Sequence, residues 1–174
     1  MTTTSTIQML TRYNAWANEA TFDAVAALPA GEATRERPSL FKNIANTLNH
    51  LHVVDLIWQA HIEKRDHGFS ALNTVLYTDL TELWRAQQIV DAWYIGWGDG
   101  LSEADANEMV RFTLIGGKQG EMRRSDIILH MVNHTSYHRG FVADMFCQIP
   151  ARPPLTDLRV FLTTKRKYCV ARLI

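Results

Sequence analysis

Hydrophobic residues recur along most of the chain at the spacing of an α-helix. The first such stretch runs from Ser5 to Leu28, where apolar side chains three and four positions apart form one stripe on a helix. Pro29 and Gly31 end the pattern. The stripe consists of Ile7, Leu10, Tyr13, Ala17, Ala20, Ala24 and Leu28. The polar segment 32–37 is predicted to be a loop.

A second helix is predicted from an N-cap at Ser39 to about Asp66, where His67 and Gly68 end it. Its apolar positions are Ile44, Leu48, Leu51, Val54, Trp58 and Ile62. A third helix is predicted from about Leu80 to Gly96, opened by the capping box of Asp79 and Glu82. Its stripe contains Leu83, Val90, Trp93 and Trp97, and its end is marked by Gly96, Gly98 and Gly100.

Between Glu108 and Arg124 the hydrophobic period changes. Residues 109–114 alternate like a strand and Gly116-Gly117 is a turn signal, so a short β-hairpin or an extended excursion is expected here. A fourth helix is predicted after an N-cap at Ser125, ending near Gln148, and the segment 150–154 is too rich in proline to continue it. Thr156 or Asp157 is predicted to cap a last, short helix toward the C-terminus.

Four long helices of this kind predict an all-α fold, a four-helix bundle with the hairpin before the fourth helix and a short C-terminal helix. The length of 174 residues fits one domain, residues 1–174.

Charge and composition exclude several classes of protein. The 18 basic residues balance the 18 acidic ones, which gives no electrostatic basis for binding nucleic acid. No apolar run approaches the length of a membrane span, and residues 1–9 lack the features of a secretory signal. The two cysteines, Cys147 and Cys169, are too few for a disulfide scaffold. We therefore expect packing cysteines in a reducing cytoplasm, no membrane association and no nucleic-acid partner.

The candidate chemistry lies in histidines. His130, His134 and His138 are four residues apart on the predicted fourth helix, so their side chains share one face. Two imidazoles at i and i+4 are able to bind one metal ion, although no glutamate completes a metalloprotease motif. The second helix offers a further ligand in His50, His52 or His61. Spacing alone selects neither the ligands among these histidines nor zinc over nickel, copper or iron.

Four segments, in this order, resemble the DinB family. They are residues 13–18 (Tyr-Asn-Ala-Trp-Ala-Asn), residues 48–51 (Leu-Asn-His-Leu) with Trp58 eight positions after His50, residues 133–140 (Asn-His-Thr-Ser-Tyr-His-Arg-Gly) and residues 153–157 (Pro-Pro-Leu-Thr-Asp). The resemblance covers nearly the whole chain, and its most specific part is His134-x-x-x-His138-Arg-Gly.

The resemblance implies a bundle with one divalent metal, zinc or nickel, on one histidine of the second helix and two of the last bundle helix. Matched residue by residue, the implied ligands are His50, His134 and His138. His130 is then expected near the metal or in packing, and His52, about 200° around the helix from His50, is expected not to bind.

Two neighbours of His138 carry further expectations. Arg139 is a candidate partner for a substrate carboxylate, against the alternative of a solvated surface arginine. Phe141 stands where family members commonly have glutamine, either as an apolar wall of the site or, as we favour, as a core aromatic.

The function implied by the resemblance is metal-dependent transfer of a low-molecular-weight thiol, such as bacillithiol, mycothiol or glutathione, to a small-molecule electrophile. A bound cation would lower the pKa of the thiol, and no catalytic residue beyond the metal is expected. Two alternatives stay open: a hydrolase using metal-bound hydroxide, and a non-catalytic module for metal binding or dimerisation. A homodimer is expected by analogy with the family.

Overall fold

The computed structural model describes residues 2–165, which form four long helices and a small sheet. The long helices are α1 (Thr3–Ala26), α2 (Ile44–Ile62), α3 (Leu80–Asp99) and α5 (Arg124–Phe146). Helix α1 packs against α3 and α5, and α2 packs against the same two helices. The predicted four-helix bundle is therefore confirmed.

Helix α2 begins five residues later than the predicted N-cap at Ser39. Lys42 has a positive φ of 69°, which interrupts the helix, and Asn43 becomes the N-cap by accepting a hydrogen bond from the Asn46 amide at 2.7 Å. Ser39 lies in the preceding turn, where its hydroxyl contacts the sulfur of Met145. As a consequence Phe41, predicted to be helical, lies outside the helix.

Helix α2 also ends earlier than predicted, at Ile62 instead of near Asp66. Lys64 adopts the left-handed conformation (φ 57°), and the amides of Lys64 and Arg65 bond to the carbonyls of His61 and Ala60. These are the two hydrogen bonds of a Schellman motif, which lysine here completes in place of glycine. All six apolar positions predicted for this helix are buried.

Helix α3 continues through two of the glycines that were predicted to break it. Asp79 is the N-cap, as predicted, and accepts from the amides of Thr81 and Glu82, but the described residues do not show the reciprocal bond of a capping box from the Glu82 side chain. Gly98 lies inside the helix, where an added Cβ would meet Ile7 Cγ2 of α1 at 3.2 Å. Close packing of α1 on α3 therefore outweighs the low helix propensity of glycine, and the helix ends only at Gly100.

A short helix that the sequence analysis missed, α4 (Glu103–Ala106), leads into the predicted hairpin. Strands β1 (Met109–Thr113) and β2 (Gln119–Arg123) pair antiparallel, with Val110 opposite Met122 and Phe112 opposite Gly120. Helix α5 follows β2 directly. Its N-cap is Arg123, without a side-chain hydrogen bond, so the prediction of Ser125 as the cap was wrong.

The last described segment is the short helix α6 (Leu158–Val160), which continues as a π-helical turn over Phe161–Lys165. Asp157 stands at its N-cap, one of the two predicted positions. Any continuation of this helix lies outside the described residues, as does Cys169. Cys147 is exposed, which contradicts its predicted packing role.

Two apolar clusters fill the bundle. One contains Trp58 and residues of α1, α2, α3 and α5, with Trp16, Trp93 and Trp97 packed against it; the other contains Leu48 and Leu83, with Trp84 packed against it. Of the five tryptophans, Trp58 is therefore buried in the core, and the other four are partly buried and pack against it. None of the helices within residues 2–165 combines the length and the apolar run that a membrane crossing needs.

Candidate metal centre

Three imidazole rings from two helices meet in the bundle: His50 of α2, and His134 and His138 of α5. Each offers one nitrogen, and these three nitrogens lie within 4.8 Å of one another. The Nε2 atoms of His50 and His138 are 3.3 Å apart. Two nitrogens bound to one tetrahedral zinc ion at about 2.0–2.1 Å are separated by roughly 3.3–3.4 Å. The geometry is therefore compatible with a divalent cation, and a small movement of the rings would bring all three within bonding distance.

The three rings are held as neutral imidazoles. Burial, and then the neighbouring His138, His50 and His130, lower the pKa of His134 to about 3. Burial, followed by the charge of His50, lowers the pKa of His138 to about 4. Burial also lowers the pKa of His50. A neutral imidazole is the form that binds metal, so the three rings are available as ligands at neutral pH.

The orientation of His50 is fixed from outside the cluster. Its Nδ1 lies 2.9 Å from the carbonyl oxygen of Leu72, in the loop between α2 and α3. Since a carbonyl only accepts, the ring proton is on Nδ1 and the lone pair of Nε2 faces His138. This is the arrangement by which proteins prepare a histidine for a metal.

The other two rings are incompletely paired. Nδ1 of His134 and Nδ1 of His138 are buried and have no hydrogen-bond partner within the described part of the chain. Buried polar atoms without a partner are rare in proteins and call for an explanation. Unlike Nδ1 of His50, these two nitrogens therefore have no protein group among the described residues that fixes the tautomer of their rings.

Aromatic side chains surround the cluster. Phe41, from the turn before α2, stacks on His50 with ring centroids 4.3 Å apart and meets the edge of His138 at 5.3 Å. Phe141 lies 5.4 Å from His138 and 4.9 Å from Tyr137. Phe141 is only partly buried, so it forms an apolar wall beside the site and not the core aromatic that we favoured.

The remaining candidate histidines lie elsewhere. His130 is exposed, 6.0 Å from the His134 ring and 5.0 Å from Trp58, against which it packs edge-on. His52 faces away from the cluster and bonds to Gln87, as predicted for a non-ligand. His61 lines an open cavity of about 1090 Å³ between the end of α2 and the hairpin, and none of the three clustered histidines lines that cavity.

Arg139 is buried, which contradicts the solvated alternative. One of its terminal nitrogens donates to the side-chain oxygens of Asn14 and Asn18, both at 2.9 Å, and the other donates to Ser136. Its guanidinium also lies 5.6 Å from the centre of the Tyr13 ring. The protein's own side chains therefore occupy both terminal nitrogens that were proposed to bind a substrate carboxylate.

The contacts of Arg139 extend into a polar network across all four long helices, which we call the Arg139 network. Asn18 donates to Asp91, and Gln87 donates to both Asp91 and Asp55. The network consists of Asn14, Asn18, His52, Asp55, Gln87, Asp91 and Arg139, each at most 5% exposed.

Sequence reasoning missed three features of the site: Phe41, the Leu72 carbonyl and the network partners of Arg139. Phe41 was assigned to the wrong element because the interruption at Lys42 is a backbone property. The segment 13–18 was noticed as a motif, but nothing in its spacing indicated that Asn14 and Asn18 contact Arg139. The only indication in the sequence was that the segments 13–18 and 133–140 occur together in one chain.

Comparisons with known proteins agree with this fold. A family model described as the DinB family matches residues 1–167. Protein DinB of Bacillus subtilis (strain 168) is 25% identical over 166 residues, which cover 91% of this chain and 95% of that protein. The crystal structure of a DinB-like protein from Bacillus cereus ATCC 10987 has a TM-score of 0.59 at 15% identity, covering 80% of this chain and 89% of that one.

Proposed function

The chain belongs to the DinB family, and from this premise we propose that it is a metal-dependent enzyme that transfers a low-molecular-weight thiol to a small electrophile. The observation that carries the proposal is the convergence of three neutral imidazoles, His50, His134 and His138, beside an apolar wall. The family supplies the thiol class, and zinc or nickel is the cation that these ligands would suit.

The histidines would hold the cation through their unprotonated nitrogens, with His50 oriented by the Leu72 carbonyl. A cation bound here would favour the thiolate form of the cosubstrate at neutral pH. The cluster itself contains imidazoles alone and no carboxylate. Its residues therefore bind and orient, and the sulfur of the cosubstrate acts as the nucleophile.

The aromatic wall supports an apolar electrophile. Phe41 and Phe141 both contact His138 by ring packing, and Tyr137 extends this surface toward solvent with 63% of its area exposed. An apolar group packed against these rings would exclude water from the attacking sulfur, and burial of its surface would contribute to binding.

The test is a conjugation assay with zinc-loaded protein, glutathione or bacillithiol, and 1-chloro-2,4-dinitrobenzene. The sulfur–carbon bond forms as the carbon–chlorine bond breaks, chloride leaves, and the thiol proton passes to the buffer. We expect a thiol-dependent rate above background that His134→Ala abolishes and His130→Ala retains. Turnover of ester substrates without thiol would instead support a hydrolase, and metal binding without either reaction would support a non-catalytic module.

A further inference from the structure

The loop between α2 and α3 is fastened to the bundle by one buried asparagine. The Asn49 side chain, only 1% exposed, accepts hydrogen bonds from the amides of Leu76 and Tyr77 at 2.9 and 3.0 Å. Its amide nitrogen donates to the carbonyls of Tyr77 and Ala45. The amide group thereby uses two donors and two acceptor positions, its full capacity.

The segment that Asn49 fastens carries the Leu72 carbonyl. Leu72 lies four residues before Leu76, within a local turn that a hydrogen bond from the Thr74 hydroxyl to the Ala71 carbonyl closes. Across residues 2–165, the hydrogen bonds between α2 and the segment 70–77 all come from Asn49 and His50. Apart from the bond of His50 itself, Asn49 therefore supplies all the hydrogen bonds that join this segment to α2 within the described residues.

The Leu72 carbonyl decides which nitrogen of His50 is free. A neutral imidazole carries one proton, and the nitrogen without it is the one that binds a metal. With the carbonyl 2.9 Å from Nδ1, the proton stays on Nδ1 and Nε2 faces His138. Without that acceptor, the proton is free to move to Nε2, where it would block the ligand atom.

We propose that Asn49 is a positioning residue for the candidate metal centre: by fastening the loop, it holds the Leu72 carbonyl against His50 and so fixes the tautomer of that ring. The inference rests on the proposed function only in taking Nε2 of His50 as a ligand atom. Ring packing of Tyr77 on His52, at 5.7 Å, holds the same loop, but it constrains the loop less directionally than four hydrogen bonds.

The experiment measures the ring ¹⁵N chemical shifts of His50 in metal-free protein at about pH 7.5, where the ring is neutral. The variants are Asn49→Ala and, as a side chain of similar size that also removes all four hydrogen bonds, Asn49→Leu. The matched control is Asn18→Ala, which removes an equally buried asparagine of the Arg139 network (3% exposed). Zinc affinity is measured on the same samples by competition with a chelating dye.

We expect His50 to be protonated at Nδ1 in the wild type and in Asn18→Ala, and to shift toward Nε2 protonation in both Asn49 variants. Zinc affinity should fall about 10-fold or more in Asn49→Ala, the usual effect of losing support for a metal ligand, and stay within about 2-fold in Asn18→Ala. Asn49→Leu provides the same readout if Asn49→Ala does not fold.

An unchanged His50 tautomer in a folded Asn49 variant would overturn the inference, as would an equal change in Asn18→Ala. Failure of the proposed function has a different signature. Wild-type protein would then show Nδ1 protonation of His50, lost in the Asn49 variants, without binding zinc in any sample.

Discussion

The bundle contains two buried polar clusters that differ in how their polar atoms are paired. In the Arg139 network, the charged guanidinium, the amides and the carboxylates are hydrogen-bonded to one another. In the histidine cluster, three ring nitrogens lie within 4.8 Å of one another, and Nδ1 of His134 and of His138 lack a partner among the described residues. Buried polar groups cost free energy unless they are paired. The network pairs most of its polar atoms within the protein, with only Asp55 Oδ1 and Arg139 Nε left without a partner among the described residues, whereas the histidine cluster is compatible with a cation from outside.

The charges of the two clusters show the same contrast. Burial raises the pKa of Asp55 to about 8 and that of Asp91 to about 6, so near pH 7 Asp55 is mainly protonated and Asp91 mainly ionised. Asp91 then balances the charge of Arg139, which it reaches through Asn18. The histidine cluster has lowered pKa values and carries no charge of its own. We therefore expect one cluster to stabilise the fold, whereas the other is compatible with binding a divalent metal.

The largest effect is expected from Arg139→Met, which removes the only cation of the network. It leaves Asp91 buried without its counter-charge and Asn14 and Asn18 without their donor, and unpairing of this kind costs about 3–5 kcal/mol. Urea unfolding of metal-free protein measures the change in unfolding free energy.

The matched control for this prediction is Arg12→Met. Arg12 pairs with Asp99 through two hydrogen bonds of 2.7 and 2.8 Å, but Asp99 is 41% exposed, and such surface pairs contribute about 1 kcal/mol or less. Equal losses for Arg139→Met and Arg12→Met would show that the Arg139 network does not have the stabilising role assigned to it.

A smaller effect is expected from pH. Burial raises the folded-state pKa of Asp55 to about 8, far above the usual range of an aspartate, so the folded state binds an extra proton at lower pH and the unfolding free energy decreases as pH rises. The buried histidines shift the other way, but their contribution is largely complete by about pH 7.5, where the imidazoles of the unfolded chain have lost their protons. Between about pH 7.5 and 8.5, stability should therefore fall, by at most about 1.4 kcal/mol per pH unit.

The substitution Asp55→Asn isolates the contribution of Asp55 to the pH dependence of stability, because the neutral amide cannot ionise. Urea unfolding of metal-free protein at both ends of this pH range should show a decrease in the unfolding free energy of the wild type and a nearly constant value for Asp55→Asn. A decrease of equal size in both proteins would place its source outside the Arg139 network.

Sequence patterns predicted most of the fold because burial of the helices follows a simple period. The apolar positions of α2 are all buried, and Ile7, Leu10, Tyr13 and Ala17 of α1 are as well. The errors occurred where tertiary contacts or backbone conformation decide. Gly98 stays helical because α1 packs against it, and Asn43 replaces Ser39 as a cap because Lys42 adopts a positive φ.

The candidate site, like the fold, was predicted only in part. The i, i+4 spacing on α5 and the resemblance to the DinB family together indicated His50, His134 and His138, and the structure brings these rings together. The surroundings of the rings were not predictable, since Phe41, Leu72 and Asn49 reach the site through loops whose course no periodic pattern encodes. Arg139 was misjudged because its partners, Asn14 and Asn18, are more than 120 residues away in sequence.

The most direct test of the candidate metal centre is the zinc content of wild-type protein after loading and dialysis, measured by elemental analysis beside His134→Ala and His130→Ala. We expect about one zinc ion per chain in the wild type and in His130→Ala, and loss of that ion in His134→Ala, because a site reduced to two imidazoles binds weakly. Equal zinc in His134→Ala, or none in the wild type, would contradict the assignment of the three histidines as a metal centre.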